Sequence, residues 1–212
     1  RESTAPISIA EPERVRRLDA VDEVKRALEV AEQIPFRFLV QHLGGREAMD
    51  ERRRDAAFSS LEHLAVFAKH RGVTIALENT PGDLATPANL RHFIEDTRQH
   101  DLRLCFDTGH AHMEEGVERS YETMRDLVVT THLHDNHGEK DEHLLPFEGT
   151  IDWEATLKGF GHAPAAENKL PIVLELKDAA VGSVHEHNTA AVLDQVKSAF
   201  DKLSHALTTK AG

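Results

Sequence analysis

A single cysteine, Cys105, stands in 212 residues. One thiol excludes an intrachain disulfide framework and suits a reducing compartment. Leu104 and Phe106 flank it, so it reads as a buried structural thiol rather than a nucleophile. No apolar run reaches the ~18 residues that a membrane span needs. The first residues carry no signal-peptide pattern. The expectation is a cytoplasmic protein with no membrane partner. Basic charge is also scarce: 25 Lys and Arg stand against 37 Asp and Glu, a formal charge of −12. Nucleic-acid binders rely on Lys and Arg to displace counterions, so nucleic acid is an unfavoured partner. Arg46 and the run Arg52, Arg53 and Arg54 come nearest to a basic patch. They fall in a helical pattern beside acids and read as a solvated helix face. A glycine-rich phosphate loop of either common type is missing too, which removes support for a nucleotide-binding doubly wound sheet.

What the chain has in excess is histidine. There are 15, and six of them fall from His110 to His143. Histidine is the commonest metal ligand and the usual proton carrier near neutral pH. An exposed histidine costs nothing, so position must decide which of them matter. His63, His70, His92 and His100 lie in helical patterns and read as surface residues. His112 and His137 read as loop or surface residues.

Helix and strand patterns alternate along the chain. Residues 11–34 carry an apolar stripe of Val15, Leu18, Val21, Val24, Leu28 and Ala31, which predicts a helix. Residues 36–42 (FRFLVQH) read as a strand. Residues 46–71 form a long amphipathic pattern with Phe58, Leu61, Leu64, Ala65 and Ala68 on one face, ended by Gly72. Residues 73–79 (VTIALEN) are the next strand. Thr86 and Pro87 mark a helix start, and that helix runs to about residue 100. Residues 102–107 (LRLCFD) form a strand, followed by a short helical stretch and a helix near 118–126. Residues 128–135 (VVTTHLHD) are a strand, and 136–150 a polar loop. A helix begins near Asp152, with Trp153 placed in the core. Residues 171–176 (PIVLEL) are the last strand, and a helix over about 184–207 closes the chain.

Apolar strands separated by amphipathic helices indicate a parallel sheet covered by helices. Five polar residues, His42, Glu78, Asp107, His132 and Glu175, each fall near the C-terminal end of such a strand. In a (β/α)8 barrel those ends converge on the face where catalytic residues gather. Five strands are clear, and 141–150 offers a short irregular sixth, whereas a closed barrel needs eight. The expectation is one barrel domain over 1–212 whose first one or two β/α units are absent; a smaller open sheet is the alternative. An open edge would leave room for a partner chain, which makes a homo-oligomer one possible arrangement.

The ordered motifs are QHLG at His42, ALEN at Glu78, FDTGHAH at Asp107 and His110, THLHDN at His132, DEHLLPFEGTIDW at Asp141 and His143, and VLEL at Glu175. Together they resemble the xylose-isomerase-like TIM barrels, over roughly residues 8–200. That superfamily includes sugar phosphate isomerases and epimerases and the family 2 apurinic endonucleases. The resemblance implies one divalent ion held by Glu78, Asp107, His132 and Glu175. It implies that Glu78 and Glu175 are also the acid/base pair, and that His110 and His42 contact substrate. In the endonuclease branch further zinc ligands match His42, His110, Asp141 and His143, a possible second metal site. His134, two residues from His132 and facing the same way along a strand, stands as the alternative to His132. Three carboxylates and one imidazole make a hard site suited to Mn²⁺, Mg²⁺ or Co²⁺ and acceptable to Zn²⁺. The activity implied is isomerisation or epimerisation of a sugar or sugar phosphate by proton transfer through a metal-stabilised enediolate. Two other readings remain open: a metal-dependent endonuclease acting on abasic DNA, and a metal-binding relative without catalysis. For a substrate phosphate, Arg46 and Lys140 are the candidate contacts. The structural alternative for the strand-end acids is pairing with lysine, and Lys177 is close to Glu175 in sequence.

Overall fold

The computed structural model describes residues 8–44, 50–161, 170–177 and 189–208. Arg46, the first residues of the helix expected from 46 and the first residues of the helix expected from 184 lie outside them. The chain divides into two compact units, Arg1–Cys105 and Phe106–Gly212.

The first unit opens with α1, Arg14–Glu29, whose N-terminus is capped by the Glu13 carboxylate accepting from the amides of Val15 and Arg16. A short 3-10 turn extends it over Val30–Glu32. The expected apolar stripe is only half right. Val21 and Leu28 are buried, but Val15 is 67% and Leu18 48% exposed. The buried face is narrower than the sequence pattern, because α1 packs chiefly against one neighbour, α2 (Glu51–Lys69). In α2, Leu61, Leu64 and Ala68 are buried as expected, joined by Ala56, Ala57 and Ser60. The Ser60 hydroxyl donates to the carbonyl of Ile9 at 2.7 Å, so a buried polar group is satisfied rather than stranded.

Strands β1 (Phe38–Gln41) and β2 (Thr74–Glu78) pair in parallel, with Phe38 opposite Thr74 and Gln41 opposite Leu77. β2 pairs in parallel with β3 (Arg103–Asp107), Glu78 lying opposite Cys105. All of β2 after Thr74 is buried, the continuous burial expected of a parallel strand covered on both faces. Gly72 takes φ +69° where the chain leaves α2, a conformation that glycine adopts without strain. Thr86 caps α3 (Pro87–Thr97) by accepting from Asn89 N at 3.3 Å, with Pro87 in the first turn.

The second unit begins with the last residues of β3 and turns directly into α4 (Thr108–Met113) and α5 (Val117–Met124). β4 is Val128–His132, shorter than the pattern 128–135 suggests. Its continuation is two single bridges, Leu133 parallel to Leu174 and Asp135 antiparallel to Leu144. The expected strand over 171–176 is thus reduced to one bridge. Pro171 has no N–H to give, and the Thr131 hydroxyl bonds its carbonyl instead at 2.8 Å. The expected irregular sixth strand is the one bridge at Leu144. α6 (Trp153–Gly161) and α7 (Thr189–Thr208) complete the unit. Phe106, Tyr121 and Phe160 form an aromatic core, with centroids 4.7–6.0 Å apart. Trp153 is buried as expected. Among the described residues, no helix is long and apolar enough to cross a membrane.

Candidate metal centre

Each strand delivers a polar group at the point where its apolar run stops. In the first unit Glu78 is the last residue of β2 and only 1% exposed. A carboxylate is costly to bury unless something meets its charge. His42, just past β1, brings Nε2 to 3.2 Å from Glu78 Oε2.

In the second unit Asp107 ends β3 and is fully buried. Its Oδ1 caps α4 by accepting from the His110 amide at 2.7 Å. The same oxygen lies 3.3 Å from His110 Nδ1 and 3.1 Å from His134 Nε2. His132 ends β4, with Nδ1 at 2.9 Å from Glu175 Oε2. Asp107, His132 and Glu175 each offer a ligand atom, and these atoms lie within 4.8 Å of one another. Glu175 is the accessible member, with its side chain 41% exposed. Lys177 pairs with Asp141, at 3.3 Å from Oδ2.

A second constellation lies in the same unit. His110, His134, Asp141 and His143 also present ligand atoms within 4.8 Å of one another. The rings of His134 and His143 stack at 3.9 Å, with planes 3° apart. His143 Nδ1 lies 3.1 Å from the carbonyl of Glu175, which can only accept, so Nδ1 carries the hydrogen. That leaves Nε2 as a lone pair in the neutral ring, 2.9 Å from Asp141 Oδ1. Two acceptors cannot stay that close without a proton or a cation between them. The charge pattern agrees. The hydrogen bond with Asp141 raises the His143 pKa, against the opposing effect of burial. Burial pushes Asp141 up, but His143, His110 and Lys177 together hold it well below the usual carboxylate range.

The donor set passes a test of fit for a cation. His134 Nε2 is buried and makes no hydrogen bond, although Asp107 Oδ1 lies 3.1 Å and Asp141 Oδ1 3.9 Å from it. A buried imidazole nitrogen left without a hydrogen bond among carboxylate oxygens is a position that an ion can satisfy. Three imidazoles and one carboxylate suit Zn²⁺. The Asp107, His132 and Glu175 set is richer in oxygen and suits Mn²⁺, Mg²⁺ or Co²⁺ equally.

Of the residues expected from the sequence, the second unit brings together Asp107, His132 and Glu175, and separately His110, Asp141 and His143. His42 belongs to the first unit with Glu78. The member that sequence reasoning under-weighted is His134. It was set against His132 as an alternative, whereas the two join different groups. The usable signal was the alternation His-Leu-His, which turns both rings to the same face of the strand. His63, His70, His92 and His100 are exposed, as expected.

Helices and parallel strands with acids and histidines at the strand ends define a β/α class with a candidate metal centre. The profile of the xylose isomerase-like TIM barrel matches residues 3–198, and the chain belongs to that family. An uncharacterised protein of Methanocaldococcus jannaschii is 31% identical over 185 residues, covering 78% of this chain. The chain spans 63% of that relative's length. Among solved structures, a D-tagatose 3-epimerase-like protein superposes with TM-score 0.79 at 24% identity, covering 98% of this chain and 77% of that one. The 3-keto-D-glucoside 4-epimerase of E. coli gives TM-score 0.73 at 20% identity, over 92% of this chain and 75% of that one. A zinc-bound IOLI protein gives 0.77 at 16%, over 96% and 75%. The fold is therefore the α/β TIM barrel.

Proposed function

We propose that this chain belongs to a metal-dependent isomerase or epimerase acting on a sugar or sugar phosphate. The carrying observation is the convergence of Asp107, His132 and Glu175. Glu78, at the end of β2, is assigned as the fourth ligand on the order of the sequence motifs. A divalent cation in this set would polarise a substrate carbonyl and acidify the neighbouring C–H. Asp107, whose Oδ1 already accepts from the His110 amide, serves as a fixed anchor. Glu175 is the more exposed carboxylate of the set, so it takes the proton from the carbon beside the carbonyl. Glu78 returns a proton, to the opposite face of that carbon for epimerisation or to the neighbouring carbon for isomerisation. His132, at 2.9 Å from Glu175, orients that carboxylate. His110 and His42 are assigned to substrate oxygens. The likeness to the epimerase structures supports this class of substrate.

The test is deuterium wash-in. Ketopentoses, ketohexoses and their phosphates are incubated in D₂O with Mn²⁺, Co²⁺ or Zn²⁺, and exchange beside the carbonyl is read by NMR. Glu175→Gln should lose about 10²–10⁴-fold in rate while remaining folded. Elemental analysis that finds no bound metal, with no exchange in any sugar, would overturn the proposal.

The second constellation favours one other reading, a phosphodiesterase acting on abasic DNA, because extra metal ions suit phosphoryl chemistry. The charge of −12 opposes it. Tight DNA binding that weakens with salt would establish it over the isomerase.

A further inference from the structure

We infer that Asp135 is a positioning residue: it clamps both ends of the loop that carries Asp141 and His143, and so holds the second cation centre in shape. This rests on reading His110, His134, Asp141 and His143 as a cation site. Asp135 touches none of their ligand atoms. It is fully buried one residue beyond His134.

Four N–H groups converge on its carboxylate. Oδ1 accepts from the amides of Asn136 at 2.9 Å and Ile151 at 3.1 Å. Oδ2 accepts from the amide of Phe147 at 3.1 Å and from Trp153 Nε1 at 2.7 Å. One donor opens the loop, one is inside it, and two follow it. The backbone adds the middle: Asp135 and Leu144 exchange both N–H···O bonds at 2.9 Å, directly beside His143. Asn136 closes the same ring, its carbonyl accepting from Thr150 N at 2.9 Å and its side-chain amide donating to Gly109 O at 2.9 Å. A fifteen-residue loop without regular structure is thereby tied at its start, middle and end by two adjacent residues. His143 sits at φ 52° and Phe147 at φ 75°, left-handed conformations that non-glycine residues keep only when their surroundings impose them. Both residues lie next to or on an Asp135 contact. Gly149 fits the same design, since a Cβ there would come 2.3 Å from Asp135 Oδ1.

Asp135→Asn keeps the shape but turns an NH₂ toward N–H donors, leaving at least one of them unpaired. The full chain, stripped of metal, is titrated with Co²⁺, and the visible spectrum resolves successive ions. Wild type should bind two. In Asp135→Asn the second ion should weaken about 10–100-fold, as when a partner that orients a ligand is lost, while the first stays within about threefold. Trp153→Phe removes one donor of the four and should weaken the second ion by a smaller factor, which keeps the test open if the first variant folds poorly. Two normal ions in both variants would overturn the inference and leave the second centre standing. Equal weakening of both ions would also overturn it, marking Asp135 as a general fold residue. A wild type that binds only one ion under all conditions would bring down the centre and the inference together.

Discussion

Gly109→Ala separates two opposite expectations. Gly109 lies in α4 and is not among the glycines with positive φ, so alanine fits its backbone. On backbone grounds the substitution should stabilise, by about 0.4–1 kcal/mol, because alanine restricts the unfolded chain. The tertiary structure reverses the sign. A Cβ at 109 would lie 1.9 Å from His134 Cε1 and 2.3 Å from Nδ1. The ring cannot swing freely, because it is fully buried and stacked on His143. The backbone cannot slide either. The Thr108 hydroxyl donates to the His134 carbonyl at 2.9 Å and accepts from the His134 amide at 3.2 Å. Forcing extra volume into such packing costs about 1–3 kcal/mol. The net expectation is a loss of about 1–2 kcal/mol. At about 2–4 °C per kcal/mol for a chain of this size, Tm should fall by about 2–8 °C. Thermal melts of metal-free protein by circular dichroism provide the measurement. The double-mutant cycle with His134→Ala isolates the contact: in that background Gly109→Ala should be neutral or stabilising. A rise in Tm on Gly109→Ala with His134 intact would refute the reasoning, since it would mean the ring does not occupy that space.

The Asp141–His143 pair makes stability and metal binding respond to pH in a defined window. Asp141 has a lowered pKa, so its contribution is present above the ordinary value of about 3.9 and is lost as pH falls through the lowered one. His143 has a raised pKa, so its contribution is full below about 6.5 and is lost as pH rises through the raised value. The metal-free protein should therefore gain most from the pair between about pH 4 and 6.5. Because a cation must displace the His143 proton, Zn²⁺ affinity at this centre should fall about tenfold per pH unit below the raised value; pH-independent competition with a chelator would refute it. Thr86→Ala should cost about 1 kcal/mol through loss of the α3 cap, read as a shift in urea midpoint at unchanged slope.

Much of this was legible along the chain. The strands β2 and β3 were visible because continuous burial leaves an uninterrupted apolar run, and α3 because Thr86 and Pro87 are local signals. Glu78, Asp107 and His132 stood out because each ends such a run. Other features depend on partners far away in sequence. The exposure of Val15 and Leu18 reflects which face of α1 its neighbour covers, which periodicity does not encode. The strand expected at 171–176 became a single bridge, because pairing needs a partner's N–H and C=O in register and that register is not written in local pattern. Arg46 and the residues around it lie outside the described part.

The opening scarcities keep their meaning: one cysteine and a deficit of basic charge were properties of composition, and no folding could change them. The order of strand-end acids and histidines was equally a property of the sequence, because alternation and apolar runs are local. Which nitrogen meets which oxygen was not. His132 ends β4 and His134 follows two residues on, yet one approaches Glu175 and the other joins His110, Asp141 and His143. That division is made by the loop that Asp135 ties back and by the space that Gly109 leaves open, and both are contacts between residues many positions apart. Local pattern sets the face of a strand, whereas only packing in three dimensions sets the distance between two side chains.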